Sequence, residues 1–187
     1  MFGTFNPTQP LPLMVVTPSL IIQGTLQSRL RRLTDILNEP DLEHLILFDA
    51  TFMEVGSRRV VAGPAVAQVQ LSDVLFVHTN GPTESGTEMR TPKQAIRATL
   101  LAPPFTIEGE IHLGYEAELH QSLDGLGGLF IPVTLARYWA YGVAESPNYV
   151  DLLVLRPDRA HVAVPVGTEW RKEAPIDKGS TGGSNPW

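Results

Sequence analysis

The sequence predicts a mainly β protein with short helices, an α+β chain built from two pseudo-symmetric small β-barrel or sheet units. Three observations predict this class. Glycine and proline each supply 16 of the 187 residues, which indicates many short elements joined by turns. Apolar residues alternate with other residues over short stretches, with the period of two that is typical of strands. Finally, the first half of the chain is similar to the second half.

This internal similarity is clearest between LMVVTPSLIIQG at 13–24 and ATLLAPPFTIEG at 98–109. A proline, an isoleucine and a glycine fall in register between the two segments, and the glycines are Gly24 and Gly109. Similarity at a fixed spacing is the signature of a repeat. We therefore expect an internal duplication, or tandem repeat.

The repeat sets the expected organisation of the chain. The predicted parts are a loose N-terminal tail at 1–12, a first unit at 13–97, a second unit at 98–170 and a flexible C-terminal tail at 171–187. The C-terminal tail is assigned by its glycine and serine content, which is typical of flexible segments.

The first unit begins with a short apolar strand that ends at a proline, because proline cannot donate to a strand ladder. An alternating strand follows at 20–26, and Gly24 within it suggests a bulge or a close backbone approach. A single apolar stripe predicts a helix at 30–38, which Asn38 ends and Pro40 blocks. Two more strands are expected at 44–55 and 65–78.

The second unit repeats this order. Its predicted elements are an alternating strand at 105–111, a helix at 115–123, and strands at 129–141 and 149–155. The apolar run at 74–77 aligns with 151–154, and a third copy of the first strand with its proline is expected at 161–165.

Composition excludes several classes of function. The chain has 14 basic and 20 acidic residues, and its pI is about 5.3, whereas general nucleic-acid binders have a basic surface. Having no cysteine, it can form neither disulfides nor thiolate metal sites, and thiol catalysis is excluded. The apolar stretch at 11–22 is interrupted by two prolines and no basic residue precedes it. We therefore expect no membrane span and no export signal, and a cytoplasmic location.

Part of the first unit resembles a family of small uncharacterised bacterial proteins. The similarity lies in the glycine-marked strand, in RLTDILN at 32–38, in LILFDA at 45–50 and in VHTN at 77–80. That family has a glycine-marked strand, a helix reading Arg-Leu-Ser-Asp-Leu-Leu-Asn and an apolar strand that ends near Asp-Ala. The resemblance covers about residues 20–80 and implies no activity.

Three arginines are candidate ligand-binding residues. Arg29, Arg31 and Arg32 lie together at the start of the predicted helix, and such guanidinium groups can bind an anion such as a nucleotide phosphate. The alternative is a solvated surface without a ligand.

Neither catalytic nor metal-binding residues are assigned. The densest group of possible metal donors lies at 110–120, but it lacks the His-Glu-x-x-His spacing. We expect these residues to be ordinary surface side chains, and we expect no cofactor. A strained Gly-x-Ser-x-Gly turn that would present a catalytic serine is also missing.

The segment YWAY at 138–141 is the richest aromatic cluster. Strand alternation places Tyr138 and Ala140 on one face, and Trp139 and Tyr141 on the other. One face can complete the core, while the other can form a partner surface. We name Tyr138, Trp139 and Tyr141 as the candidate partner surface.

These observations favour a non-enzymatic protein-interaction or assembly module. The expected partner is a protein, which includes a second copy of the chain, and neither nucleic acid nor a membrane. The alternative is a small-ligand or anion sensor, or an enzyme, that uses a cleft between the two units.

Overall fold

The computed structural model describes residues 8–29, 32–79, 92–115, 118–126, 129–143 and 146–171. Over these ranges the chain forms eleven β-strands and two short α-helices, so the mainly β class with short helices is confirmed. The two helices have five and six residues. Among the described residues, no helix has the length and apolar character needed to cross a membrane.

The elements of the first unit are β1 (Gln9–Val16), β2 (Leu20–Ser28), α1 (Leu33–Leu37), β3 (His44–Glu54), β4 (Val60–Ala62), β5 (Val66–Gln70), a 3₁₀ turn (Leu71–Asp73) and β6 (Phe76–His78). Those of the second unit are β7 (Gln94–Ala102), β8 (Phe105–Leu113), α2 (Leu119–Asp124), β9 (Ile131–Ala140), β10 (Asn148–Leu155), a 3₁₀ turn (Pro157–Arg159) and β11 (His161–Ala163).

The same order of elements therefore occurs twice. Each unit has a β-hairpin, a short helix, a long strand, a further strand, a 3₁₀ turn and a three-residue strand, and only β4 is additional. The position of β6 after β5 thus matches that of β11 after β10. The predicted alignment of 74–77 with 151–154 does not follow this order, because residues 76–77 lie in β6 and residues 151–154 in β10, and these strands pair with each other.

The eleven strands form one antiparallel sheet that does not close. Its order is β11-β7-β8-β9-β10-β6-β1-β2-β3-β4, with β5 also paired to β3. Of the two predicted forms, barrel or sheet units, the barrel is not confirmed, and both units lie in one continuous sheet. The physical reason is that β6 lies between β1 of its own unit and β10 of the other, so the first unit continues into the second.

Two hydrophobic cores lie on opposite faces of the central strands. The first core is formed mainly by β1, β2, α1, β3 and β5, and the second mainly by β7, β8, β9 and β10. Adjacent residues of β6 face different cores, since Val77 belongs to the first core and Phe76 to the second. Each unit thus completes the core of the other.

Both mid-strand glycines face a β-bulge, as their position in alternating strands predicts. The β2–β3 register shifts at Gly24, and the β8–β9 register shifts at Gly109. The neighbouring strand carries a residue of positive φ at each place, Asp49 (φ 50°) and Leu135 (φ 49°). A Cβ at Gly109 would lie 2.6 Å from Val133 Cγ1, so the close backbone approach requires glycine there.

The predicted boundaries differ from the structure in several places. Residues 9–12, expected in the loose tail, form the start of β1, and residues 94–97, expected in the first unit, form the start of β7. Pro10 and Pro12 are tolerated because, among the described residues, only β2 pairs with this part of β1, which leaves its other edge without need of a donor. The strand expected at 65–78 is interrupted by the 3₁₀ turn. Residues 1–7 and 172–187 lie outside the described residues.

Candidate functional site

The two faces of β9 differ in burial as the alternation predicts. Tyr138 and Ala140 are 3% and 5% exposed, whereas Tyr141 is 48% exposed and Trp139 is half-buried. The ring of Tyr138 packs against Phe76 and Phe105, with centroid distances of 5.0 and 6.2 Å. Tyr138 is therefore a core residue, and its assignment to the partner surface is corrected.

A buried histidine lies beside Tyr138, and sequence reasoning did not find it. His78 Nε2 is 3.0 Å from the Tyr138 hydroxyl, and its buried Nδ1 has no hydrogen-bond partner among the described residues. Burial lowers the pKa of His78 to about 4, and the Thr79 backbone offsets only part of this effect. His78 is therefore neutral at pH 7. Its place at the end of an apolar run was the only signal in the sequence.

The outer face of the second unit has a charged centre at Arg137. Its Nη2 and Nε lie 2.6 and 2.9 Å from Glu108 Oε2, and Arg97 Nη2 is 4.0 Å from the same oxygen. Hydrogen bonds to Glu108 and then to the Tyr149 hydroxyl raise the pKa of Arg137. The guanidinium is thus held in one orientation on the sheet.

Aromatic side chains surround this guanidinium. The Arg137 Cζ lies 5.9 Å from the centroid of the Trp139 ring, a distance typical of a cation–π contact. Tyr149 lies opposite Arg137 in the β9–β10 register and is 73% exposed. We call Arg137, Trp139, Tyr141 and Tyr149 the aromatic–arginine face.

The bulge at Leu135 decides which residues form this face. Val133 and Ala136 are both buried, although they are three residues apart. One extra residue in a strand reverses the alternation beyond it. Without the bulge, Arg137 and Trp139 would point into the second core, so the bulge opposite Gly109 places them outside.

Two of the three arginines of the predicted anion site are among the described residues. Arg29 and Arg32 are exposed, and Arg31 lies outside the described residues. Arg32 precedes α1, but neither Arg29 nor Arg32 lines the clefts described here.

A cleft of about 310 Å³ does lie between the two units. Thr34 and Asn38 of the first unit line it, together with His112 and Ser122 of the second. The Asn38 amide donates to the Phe130 carbonyl at 2.8 Å and accepts from the Phe130 N–H at 3.0 Å. This pair of hydrogen bonds joins α1 to the second unit at the floor of the cleft.

The polar side chains of the cleft bind other groups of the protein. The Ser122 hydroxyl donates to the Gly114 carbonyl at 3.0 Å, and His112 Nε2 is 2.9 Å from Thr134 Oγ1. Burial lowers the pKa of His112, which favours its neutral imidazole. Within the described ranges, no three histidine, aspartate or glutamate side chains come together as metal ligands.

Comparison with known proteins gives no relative for this chain: no family model matches it, and neither a curated protein nor a solved structure does. The resemblance of residues 20–80 to a bacterial family therefore stays a prediction.

Proposed function

We propose that this protein is a non-enzymatic interaction module that binds a protein partner through the aromatic–arginine face. The observation that carries the proposal is the grouping of Trp139 and Tyr149 around the Arg137 guanidinium on the outer side of the sheet, with the exposed Tyr141 directly after β9. Tryptophan, tyrosine and arginine are the residues that most often dominate the energy of protein interfaces.

The order of this face supports binding at low entropic cost. Trp139 and Arg137 project from a strand that is paired on both sides, and Glu108 fixes the guanidinium. Binding a partner then immobilises few additional rotamers, and preorganised side chains give tighter binding for the same contact area.

We also propose that the two units derive from an internal duplication. Support comes from the repeated order of elements and from the two glycines that face equivalent bulges. The partner face differs between the units. Ala50 lies beside Gly24 as Ala136 lies beside Gly109, so Thr51 and Met53 stand where the second unit has Arg137 and Trp139. In this proposal, the aromatic–arginine face is specific to the second unit.

The test compares two alanine variants of β9 in melting temperature and in pull-down from native cells. Trp139→Ala should fold with a nearly unchanged melting temperature and lose the partner, because its side chain lies on the outer face. Tyr138→Ala is the matched core control and should lose about 3–5 kcal/mol of stability. If Trp139→Ala keeps the partner at full yield, or unfolds like Tyr138→Ala, the proposal is wrong.

The second candidate is a small-ligand sensor, or an enzyme, that uses the cleft between the units. The cleft volume of about 310 Å³ is near the lower end of the range for ligand pockets. A ligand that binds only the folded state raises the melting temperature. A metabolite screen by thermal shift should then find a compound whose effect is lost in Thr34→Trp, which would fill the cleft, and a screen without such a compound would contradict this candidate.

A further inference from the structure

One strand pair joins the two units, and the strands that correspond to this pair each have a free edge among the described residues. β6 of the first unit pairs with β10 of the second, with Val77 opposite Val154. Within the described residues, β5 and β11 each have one neighbouring strand, β3 and β7 respectively. In the order of elements, β5 corresponds to β10 and β11 corresponds to β6.

The registers give the correspondence residue by residue. Leu47 and Val133 contact the two glycines, and their partners across the sheet are Ala67 in β5 and Leu153 in β10. Gln68 of β5 therefore corresponds to Val154 of β10.

The same comparison applies to the other edge. Leu13 pairs with Gly24, and Ala98 pairs with Gly109, so Val15 corresponds to Leu100. Val77 pairs with Val15 and Val162 pairs with Leu100. Val162 of β11 therefore corresponds to Val77 of β6, and His161 corresponds to Phe76.

A groove beside β5 is open where its counterpart is filled. In the second unit, Phe76 of β6 packs against Phe105 and Tyr138, with ring centroids 5.3 and 5.0 Å apart. The corresponding residues of the first unit, Leu20 and Phe52, line a groove of about 370 Å³ together with Gln68 and Gln70 of β5. The first unit thus has the acceptor site for a strand like β6.

The edge strand beside this groove carries no charge of its own, although Asp73 and Arg159 also line the groove. No charged residue occurs from Val60 to Leu71, and Val60 and Val66 are 58% and 54% exposed. Natural sheets protect free edges with charges, especially lysine. Leu152, which corresponds to Val66, packs instead against the core of the other unit.

We infer that β11 of one copy pairs with β5 of a second copy, antiparallel and in the register of the β6–β10 joint. Val162 then lies opposite Gln68, and His161 enters the groove between Leu20 and Phe52. The inference depends on the proposed equivalence of the two units and does not use the aromatic–arginine face. Because the two edges differ, the contact is head-to-tail and produces rings or open filaments.

Disulfide trapping tests the contact directly, because the natural chain contains no cysteine. Two full-length variants, Gln68→Cys and a tagged Val162→Cys, are mixed and oxidised. We expect a covalent heterodimer, since directly opposed strand residues have Cβ atoms within disulfide reach. In the control, Gln9→Cys replaces Gln68→Cys. Gln9 is an exposed residue of β1, and this pair of variants should give no heterodimer. Trapping of Gln68→Cys only with itself would indicate a symmetric pairing and overturn the inference, as would the absence of a heterodimer.

Blocking the edge gives an independent measurement in the protein without added cysteine. Gln68→Lys should weaken self-association by about tenfold or more in sedimentation velocity, because a lysine on an edge strand opposes pairing. Gln9→Lys adds the same charge in β1, away from the β5 edge, and should leave association unchanged. A chain that stays monomeric at every concentration, or equal effects of the two lysines, would overturn the inference. Trp139→Ala should leave the trapped heterodimer unchanged, so failure here and failure of the proposed function are distinguishable.

Discussion

Protonation of His78 should destabilise the fold as the pH falls below neutral. The side chain is 2% exposed, its Nδ1 has no partner among the described residues, and its ring lies 5.6 Å from that of Tyr138. Burial disfavours the charged imidazolium, so the pKa is lowered from 6.5 to about 4. The unfolded chain then binds a proton more readily than the folded chain between these two values.

The size of the effect follows from proton linkage. Above pH 6.5, His78 is neutral in the folded and the unfolded chain, and it does not change the free energy of unfolding. As the pH falls toward 4, the unfolded chain takes up the proton first, and the free energy of unfolding decreases. Two pKa values near 6.5 and 4 give a loss of about 2 kcal/mol between pH 7 and pH 5. His112 adds to the loss with the same sign, because burial lowers its pKa as well. Glu54 contributes little in this window, because its pKa is lowered from 4.5.

Urea unfolding at pH 7 and pH 5 measures this difference. His78→Gln has no titrating group and should lose most of the pH dependence, whereas His112→Gln, the matched control at a half-buried position, should keep most of it. The reasoning is refuted if the wild-type chain is equally stable at both pH values. It is also refuted if His78→Gln retains the full wild-type difference.

Two further substitutions test the bulge and the link between the units. Gly109→Ala should cost about 1–3 kcal/mol of stability through overpacking, because the new Cβ would lie 2.6 Å from Val133 Cγ1. Gly56→Ala is the control and should change stability little, because no atom lies within 4 Å of its new Cβ. Equal urea midpoints for the two variants would contradict this prediction. Asn38→Ala should cost about 2 kcal/mol, because the N–H and carbonyl of Phe130 lose their partner; an unchanged free energy of unfolding would show that water replaces the amide.

Local features of the fold could be predicted from the sequence. A glycine in mid-strand indicated a bulge at Gly24 and at Gly109, and both are present. The alternation in β9 separated Tyr138 from Trp139. It could not tell which of them is buried, because that depends on the bulge at Leu135, which reverses the alternation within β9.

Long-range pairing could not be predicted for a different reason. The strands β6 and β10 are apolar on both faces because both cores cover them. Such runs predict burial but do not specify a partner strand. The sequence comparison therefore aligned them as copies of each other, whereas they are neighbours in the sheet. The salt bridge of Arg137 with Glu108 likewise depends on a long-range register, that of β8 with β9.

Photo-crosslinking in the native cell tests the central proposal, binding through the aromatic–arginine face, most directly. A photo-reactive phenylalanine analogue replaces Tyr149, which is 73% exposed on that face, and in a control chain it replaces the exposed Gln27 of β2 in the first unit. We predict a covalent adduct of one discrete mass from the Tyr149 position, which is lost when Trp139→Ala is added, and no such adduct from the Gln27 position. Equal adducts from both positions, or an adduct that persists with Trp139→Ala, would contradict the proposal.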